Sequence, residues 1–231
     1  MYDRIAPGVT RITTSKRDNA FLIEGDDGFT LVDVGWAKAP GVLLNTVASL
    51  GRKPSDIRRI VLTHAHPDHV QGAAALRRET GARILIHAAD RPWLQAGRVP
   101  AEGRCGALGR FIDRLPALHW TPFDADATLA DGDLVENSGG LRVIHTPGHS
   151  PGHIVLLHEP SRALLVGDAM FNRGKLALGP AALAADPALR PASLQRLPQD
   201  LTTVGFAHGA PLDAVGIPAF QEFLTRLPQH T

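Results

Sequence analysis

The chain has 231 residues, 44% of them hydrophobic and 20% charged, a composition that suits a globular protein with a sizeable core. Its net charge of +1 offers no field for nucleic acid or an anionic membrane, and its arginines and lysines are scattered. A lone Cys105 excludes both a disulfide framework and a cysteine-based zinc site.

Met1–Val9 carries no basic segment followed by an apolar one, and no apolar run approaches membrane-spanning length, so the expected setting is cytoplasmic. Val9–Thr13, Ala20–Glu24 and Phe29–Asp33 read as strands, with a hairpin turn at Gly25-Asp-Asp-Gly28. Gly41–Leu50 has helical apolar spacing and stops at Gly51. A strand over Arg59–Leu62, a helix over Val70–Thr80 and a strand over Arg83–Ile86 form a βαβ unit, which predicts a partly parallel sheet. Residues 98–123 read as an irregular surface excursion. Strands are expected at Leu134–Glu136, Leu141–Ile144, Ile154–Leu157, Ala163–Val166 and Thr202–Phe206. Phe171–Pro191 reads as a long loop, Ser193–Arg196 as a short helix and Ala219–Leu227 as a terminal helix. No linker interrupts the chain, so residues 1–231 are expected to form one α/β domain.

Chemistry concentrates where strands end. Directly after Arg59–Leu62 comes Thr63-His-Ala-His-Pro-Asp-His69, a polar cluster that a packed core does not call for. His64 and His66 are two apart in an extended segment, so both rings project the same way and can share one cation. Asp68 and His69 follow a turn and suit a second. Further donors are offered by Ile144-His-Thr-Pro-Gly-His-Ser-Pro-Gly-His153, Val166-Gly-Asp-Ala-Met-Phe171 and Gly205-Phe-Ala-His-Gly209. Each has a plainer reading: Asp68 suits a helix cap, and His149 and Asp168 suit Gly-rich turns. A nitrogen and oxygen donor set without sulfur fits a hydrolytic site with open coordination positions.

These segments, in this order, resemble the metallo-β-lactamase-fold hydrolase superfamily in its glyoxalase II-like and lactonase-like branch. The motifs are Thr63–His69, Thr146–His153, Gly167–Phe171 and Ala207–Gly209, joined by the early-strand aspartate of Leu31-Val-Asp-Val-Gly35; the likeness spans about residues 9–209. The resemblance implies a four-layered αβ/βα sandwich. It implies that His64, His66 and His149 bind one metal ion, that Asp68, His69 and His208 bind a second, and that Asp168 bridges both. His153 and Asp33 would support the site through hydrogen bonds. The two divalent ions would be zinc, with iron or manganese also suited. The implied reaction is attack by a metal-bridging hydroxide on a small ester, lactone or thioester, with Asp68 orienting the nucleophile or moving its proton.

A metal-dependent phosphodiesterase or phosphonate-type hydrolase, or a non-catalytic metal sensor, would use the same residues. Phe171–Leu176 lacks the Gly-Cys-Gly loop usual in lactoylglutathione hydrolases, and Phe171 stands where lactonases commonly carry tyrosine. Arg173 and Lys175 lie close enough to Asp168 in sequence to meet an anionic substrate. His87 and His145 are expected as satisfied polar groups near strand ends, and His119, His158 and His230 at the surface. Trp36 and Trp93 are expected in the core or at the site mouth. A small-molecule substrate and a monomer or homodimer are expected, with residues 98–123 and the terminal helix as contact candidates.

Overall fold

The structure, a computed structural model, describes residues 1–228. His230 lies outside the described residues. β1 (Tyr2–Ala6), β2 (Val9–Thr13), β3 (Asn19–Gly25) and β4 (Gly28–Val32) form an antiparallel meander. The sheet then continues in parallel. α1 (Ala39–Ser49) leads to β5 (Ile57–Leu62), α2 (Pro67–Val70) and α3 (Ala73–Thr80) lead to β6 (Arg83–His87), and α4 (Arg91–Ala96) and α5 (Ala107–Ile112) lead to β7 (Ala127–Leu129). A second sheet holds β8 (Leu141–His145), β9 (Ile154–His158) and β10 (Ala163–Leu165). After a small hairpin of β11 (Phe171–Asn172) and β12 (Leu176–Ala177), α6 (Arg190–Gln195) leads to β13 (Thr203–Gly205), which pairs in parallel with β10. α7 (Ile217–Thr225) closes the described chain.

Strand alternation produces the four layers. Leu22, Leu31, Ile60, Leu62, Ile84 and Ile86 point outward against α1, α3 and α4, meeting Leu43, Val47 and Leu76. Their neighbours Phe21, Ile23, Val32, Val61 and Leu85 point the other way and pack on Val143, Ile154, Leu156 and Leu165 of the second sheet. On that sheet's far face Val155, Leu157, Leu164 and Val204 meet Leu194 of α6 and Phe220 and Leu224 of α7. Side chains of this size stabilise the fold by about 1.5–3 kcal/mol each when buried. The expected αβ/βα sandwich is therefore the observed one, because the central strands β3 to β6, β9 and β10 are apolar on both faces.

Several elements differ from expectation. The helix expected over Val70–Thr80 is α3, which begins only at Ala73, after the short α2 that ends at Val70. Gly72 lies between them, where an added Cβ would come within 2.8 Å of Pro40. Leu134–Glu136 makes only one bridge, Leu134 to Arg142, because the chain turns back immediately at Asn137, which has a positive φ of 52°. The edge strands β1 and β7 carry little apolar alternation and were not legible. Residues 98–123 contain α5 within otherwise irregular chain, and the expected loop over Phe171–Pro191 contains the β11–β12 hairpin. The apolar face of α7 is occupied by the core through Ile217, Phe220 and Leu224. His158 is a correction: it is buried in β9, its Nδ1 2.6 Å from the Ser161 hydroxyl, where a surface position was expected. His119 is half-buried, with Nε2 donating to the Asp113 carbonyl at 3.0 Å.

Candidate metal centre

All seven expected ligands meet at one end of the two sheets, in two adjacent groups: His64, His66 and His149, and Asp68, His69, Asp168 and His208. Strand ends deliver most of them. β5 runs out into Thr63 and His64, β8 into the loop carrying His149, β10 into Asp168 and β13 into His208. His66 is extended (φ −105°, ψ 154°), and α2 then starts, turning Asp68 and His69 toward the second group. Asp68 is not the N-cap of α2, a position that His66 holds; its carboxylate lies 3.3 Å from His208 Nε2.

Gly167 sets the position of Asp168. Its φ is +50°, and a Cβ there would lie 2.9 Å from His153 Nε2 and 3.0 Å from Thr63 Cβ, so a side chain would push apart the strands that carry the site. Asp33 also has a positive φ, 59°. It accepts hydrogen bonds from the Thr63 amide and hydroxyl, both at 2.8 Å, and from His69 Nδ1 at 2.8 Å. This strained aspartate fixes the orientation of the His69 ring and leaves Nε2 facing the site. His208 is oriented the same way, with Nδ1 3.0 Å from Asp18 Oδ1 and 3.2 Å from the Arg17 carbonyl. His153 accepts from the Asp168 amide at Nε2 (3.0 Å), so its Nδ1–H donates to the Thr146 hydroxyl at 2.8 Å.

The donors fit a pair of cations. His66 Nδ1 lies 2.9 Å from His64 Nε2 and 2.8 Å from His149 Nε2. Neutral imidazoles each bring one donor and one acceptor nitrogen, so three nitrogens converging on a point cannot all be paired one to one. In the second group His69 Nε2 and Asp168 Oδ1 are buried without a hydrogen-bond partner, although they approach to 3.2 Å. Asp168 joins the groups: Oδ2 is 3.3 Å from His149 Nε2, and Oδ1 is 3.0 Å from His208 Nε2. Buried orphans of this kind are what ligands to an ion look like without it.

Charge divides the two groups. Burial, reinforced by neighbouring rings and by Arg104 near His66, holds His64, His66 and His149 well below the usual imidazole pKa, so they are neutral. Burial opposes charge on His69 and His208 too, but Asp33, Asp168 and Asp68 outweigh it at His69, and Asp168, Asp18 and Asp68 at His208, so both are raised. Burial likewise works against the Asp168 carboxylate, and His208 and His69 overcome it. Burial pushes His153 down to about 3.

Two supporting residues escaped the sequence reading. Asp90, fully buried after β6, accepts from the Ala65 amide (3.0 Å), the Ser150 hydroxyl (2.6 Å) and the Gly152 amide (2.6 Å). It thereby ties the loop of His64 and His66 to the loop of His149. Burial raises its pKa despite these donors. Asp18 supports His208, and the Trp36 indole N–H donates to it at 2.9 Å. Sequence offers no periodic or motif signal for either. Trp93 is a core residue that also backs His66, the rings lying 5.9 Å apart. His87 and His145 stack at 4.0 Å, away from the ligands. Cys105 is free and exposed.

The sequence profile of the metallo-beta-lactamase superfamily matches residues 17–208. A probable metallo-hydrolase of Bacillus subtilis, YqjP, is 28% identical over 223 residues, covering 84% of this chain and 68% of that protein. A hydroxyacylglutathione hydrolase of Cereibacter sphaeroides is 34% identical over 158 residues, 67% of this chain and 49% of that protein. The chain spans about half the length of several curated relatives that it matches. The crystal structure of the metallo-beta-lactamase MIM-1 from Novosphingobium pentaromativorans shares the fold, with a TM-score of 0.71 at 24% identity over 98% of this chain and 89% of its own. With its profile match across most of the chain, the chain belongs to the metallo-beta-lactamase superfamily.

Proposed function

We propose that the protein is a dinuclear hydrolase of small esters, lactones or thioesters. The observation that carries this is Asp168, whose two carboxylate oxygens face different clusters, Oδ2 toward His149 at 3.3 Å and Oδ1 toward His208 at 3.0 Å. In this reading His64, His66 and His149 hold one ion, Asp68, His69 and His208 the other, and Asp168 both. Two divalent ions there would supply activation of water and polarisation of a carbonyl. The chain's own residues fix the geometry: Asp33 and Asp18 aim His69 and His208, and His153 holds the Asp168 backbone. Asp68 is the most exposed of the seven, its side chain 24% accessible, which suits it to orient water and take up a proton.

Zinc is the proposed ion, since the donors are imidazole and carboxylate without sulfur; iron and manganese accept the same set. Thioesters belong in the substrate class because a matching relative is named a hydroxyacylglutathione hydrolase. The reading takes residues 1–231 as one domain, a monomer or homodimer in the cytoplasm acting on a small molecule without nucleic-acid or membrane partners. Net charge of +1 and the free thiol at Cys105 support it, and among the described residues no helix is long and apolar enough to cross a membrane.

The test is a panel of model esters, lactones, thioesters and phosphodiesters assayed on metal-stripped and reconstituted protein. Cleavage of a carbonyl substrate that chelator abolishes and zinc restores is expected. Cleavage of phosphodiesters alone, or no turnover at full metal content, would sink the reading.

A further inference from the structure

Beside His208 lies a cavity of about 550 Å³ whose walls are basic: Arg11, Lys16, Arg17 and Arg173 line it, together with Asn19 and Gly209. Among the described residues no aspartate or glutamate lines it. Lys16, Arg17 and Arg173 are exposed and pair with no carboxylate among the described residues. Elsewhere many arginines are neutralised: Arg59 holds Asp27, Arg91 holds Asp124 and Arg104 holds Asp113. Four cationic side chains and no carboxylate thus line one pocket of a chain whose net charge is only +1. The one carboxylate of its loop, Asp18, is turned inward to His208, Ser15 and Trp36 and contributes no counter-charge to the lining.

None of the seven candidate ligands lines the pocket, but the segments that line it also hold His208 in place. The Arg17 carbonyl lies 3.2 Å from His208 Nδ1. Asn19 donates to the Phe206 and Gly209 carbonyls at 3.0 and 2.9 Å, which clamps the Lys16–Arg17 loop to the strand end that carries His208. On the other side Phe171 meets the His208 ring edge-on at 4.9 Å, and the Arg173 guanidinium sits 5.5 Å from the Phe171 ring centre. A molecule whose scissile group is at the clusters can therefore extend into a cationic recess immediately next to them. Cations lacking partners attract a ligand anion, and arginine's planar fork suits carboxylate and phosphate alike.

We propose that this pocket binds an anionic group, a carboxylate or a phosphate, carried by the ester or thioester substrate. This rests on the hydrolase reading above and narrows its substrate class. Recognition is through charge-assisted hydrogen bonds from Arg17, Arg173 and Lys16, with Arg11 partly engaged by Asp3 at 2.9 Å.

The test compares zinc-loaded wild type with the full-length double variant Lys16→Glu/Arg173→Glu, both positions being exposed, with melting temperature and zinc content checked on each. Three substrates serve: p-nitrophenyl acetate as the neutral reference, the mono-p-nitrophenyl ester of glutaric acid, and the p-nitrophenyl ester of 3-phosphonopropionic acid. The ratio of kcat/KM, anionic over neutral, is expected to fall about ten-fold or more in the variant, and to fall with added salt in the wild type. Which anionic ester shows the larger fall distinguishes carboxylate from phosphate recognition. An unchanged ratio for both overturns the proposal. Should neither protein cleave any ester, the hydrolase reading fails on its own account, and calorimetry with glutarate and with inorganic phosphate reads the pocket directly. Binding lost in the variant then supports the anion site, and binding equal in both proteins, or absent from the wild type, overturns it.

Discussion

The His64, His66 and His149 cluster is built wholly from imidazoles, whereas its neighbour sets Asp68 and Asp168 against His69 and His208. Both are buried, apart from Asp68, yet burial has opposite outcomes. In the first, rings crowd rings, and desolvation leaves them neutral with lone pairs ready. In the second, carboxylates outweigh desolvation, and the rings hold protons. One cluster is a preformed neutral nest; the other is a salt-bridged network that must give up protons before it takes a cation. Asp168 belongs to both, so changes there and on either side test how far the two act as one.

The largest effect is expected at Asp168→Ala. It removes the only carboxylate among the described residues that faces both groups, so both should lose metal together and turnover should fall by orders of magnitude. Elemental analysis and steady-state kinetics on the same samples check this. Two ions retained with near-normal turnover would mean that Asp168 merely forms the turn after Gly167. Asp90→Ala should divide the clusters instead. It strips the acceptor from two buried amides, at a cost of about 1–3 kcal/mol for each, and loosens only the loops of His64, His66 and His149. Metal affinity should drop about 10- to 100-fold at that cluster, with the other nearly unaffected. Equal losses at both sites in competition titrations would contradict the division.

The contrast between clusters was only half legible in the sequence. Spacing placed His64 and His66 on one side and sent Asp68 and His69 elsewhere, because strand geometry and a turn after Pro67 fix those directions locally. The layering came from the resemblance; its physical reason is that strands such as Phe21–Ile23 and Ile60–Leu62 are apolar on both faces, which requires cover on both. What supports the ligands was less legible. Asp33 stood out through its resemblance to a known motif, but Asp90 lies among ordinary residues, and its partners at Ala65, Ser150 and Gly152 are long-range. The charge state was not legible either, since it depends on which carboxylates the fold brings within reach of His69 and His208.

That charge state can be measured. His69 and His208 are raised, so near neutral pH they carry protons that a cation must displace, and His64, His66 and His149 do not. Loading the mixed cluster should therefore release about two protons, against almost none for the all-histidine cluster. Affinity at the mixed cluster should rise with pH. For the metal-free fold, raised groups contribute stability that is complete below the unfolded imidazole value of about 6.5 and lost as pH climbs through their folded values. The three depressed imidazoles contribute stability above about 6.5 that is lost on acidification. Calorimetric metal titrations in buffers of differing ionisation enthalpy count the protons; equal release in both steps would erase the distinction between clusters.

The smallest catalytic effect is expected at His158→Ala, which marks the limit of the region the two clusters govern. His158 closes β9 at the opposite end from His153, its Nδ1 on Ser161 and its ring against Gly8, whose added Cβ would sit 3.3 Å from it. It pairs in register with Ala163 and Leu141 and belongs to neither candidate ligand cluster. Losing the ring opens space between the β1–β2 turn and the second sheet and leaves the Ser161 hydroxyl without its partner, a stability loss of about 1–3 kcal/mol. A lower melting temperature is expected, with metal content and kcat/KM close to wild type. The variant thus separates fold stability from site chemistry, because it disturbs the same strand that leads out of His153 without reaching the clusters. Should turnover or metal content fall in proportion to stability, the site would depend on the whole sandwich, and the distinction between two locally set clusters would have to give way to a single cooperative unit.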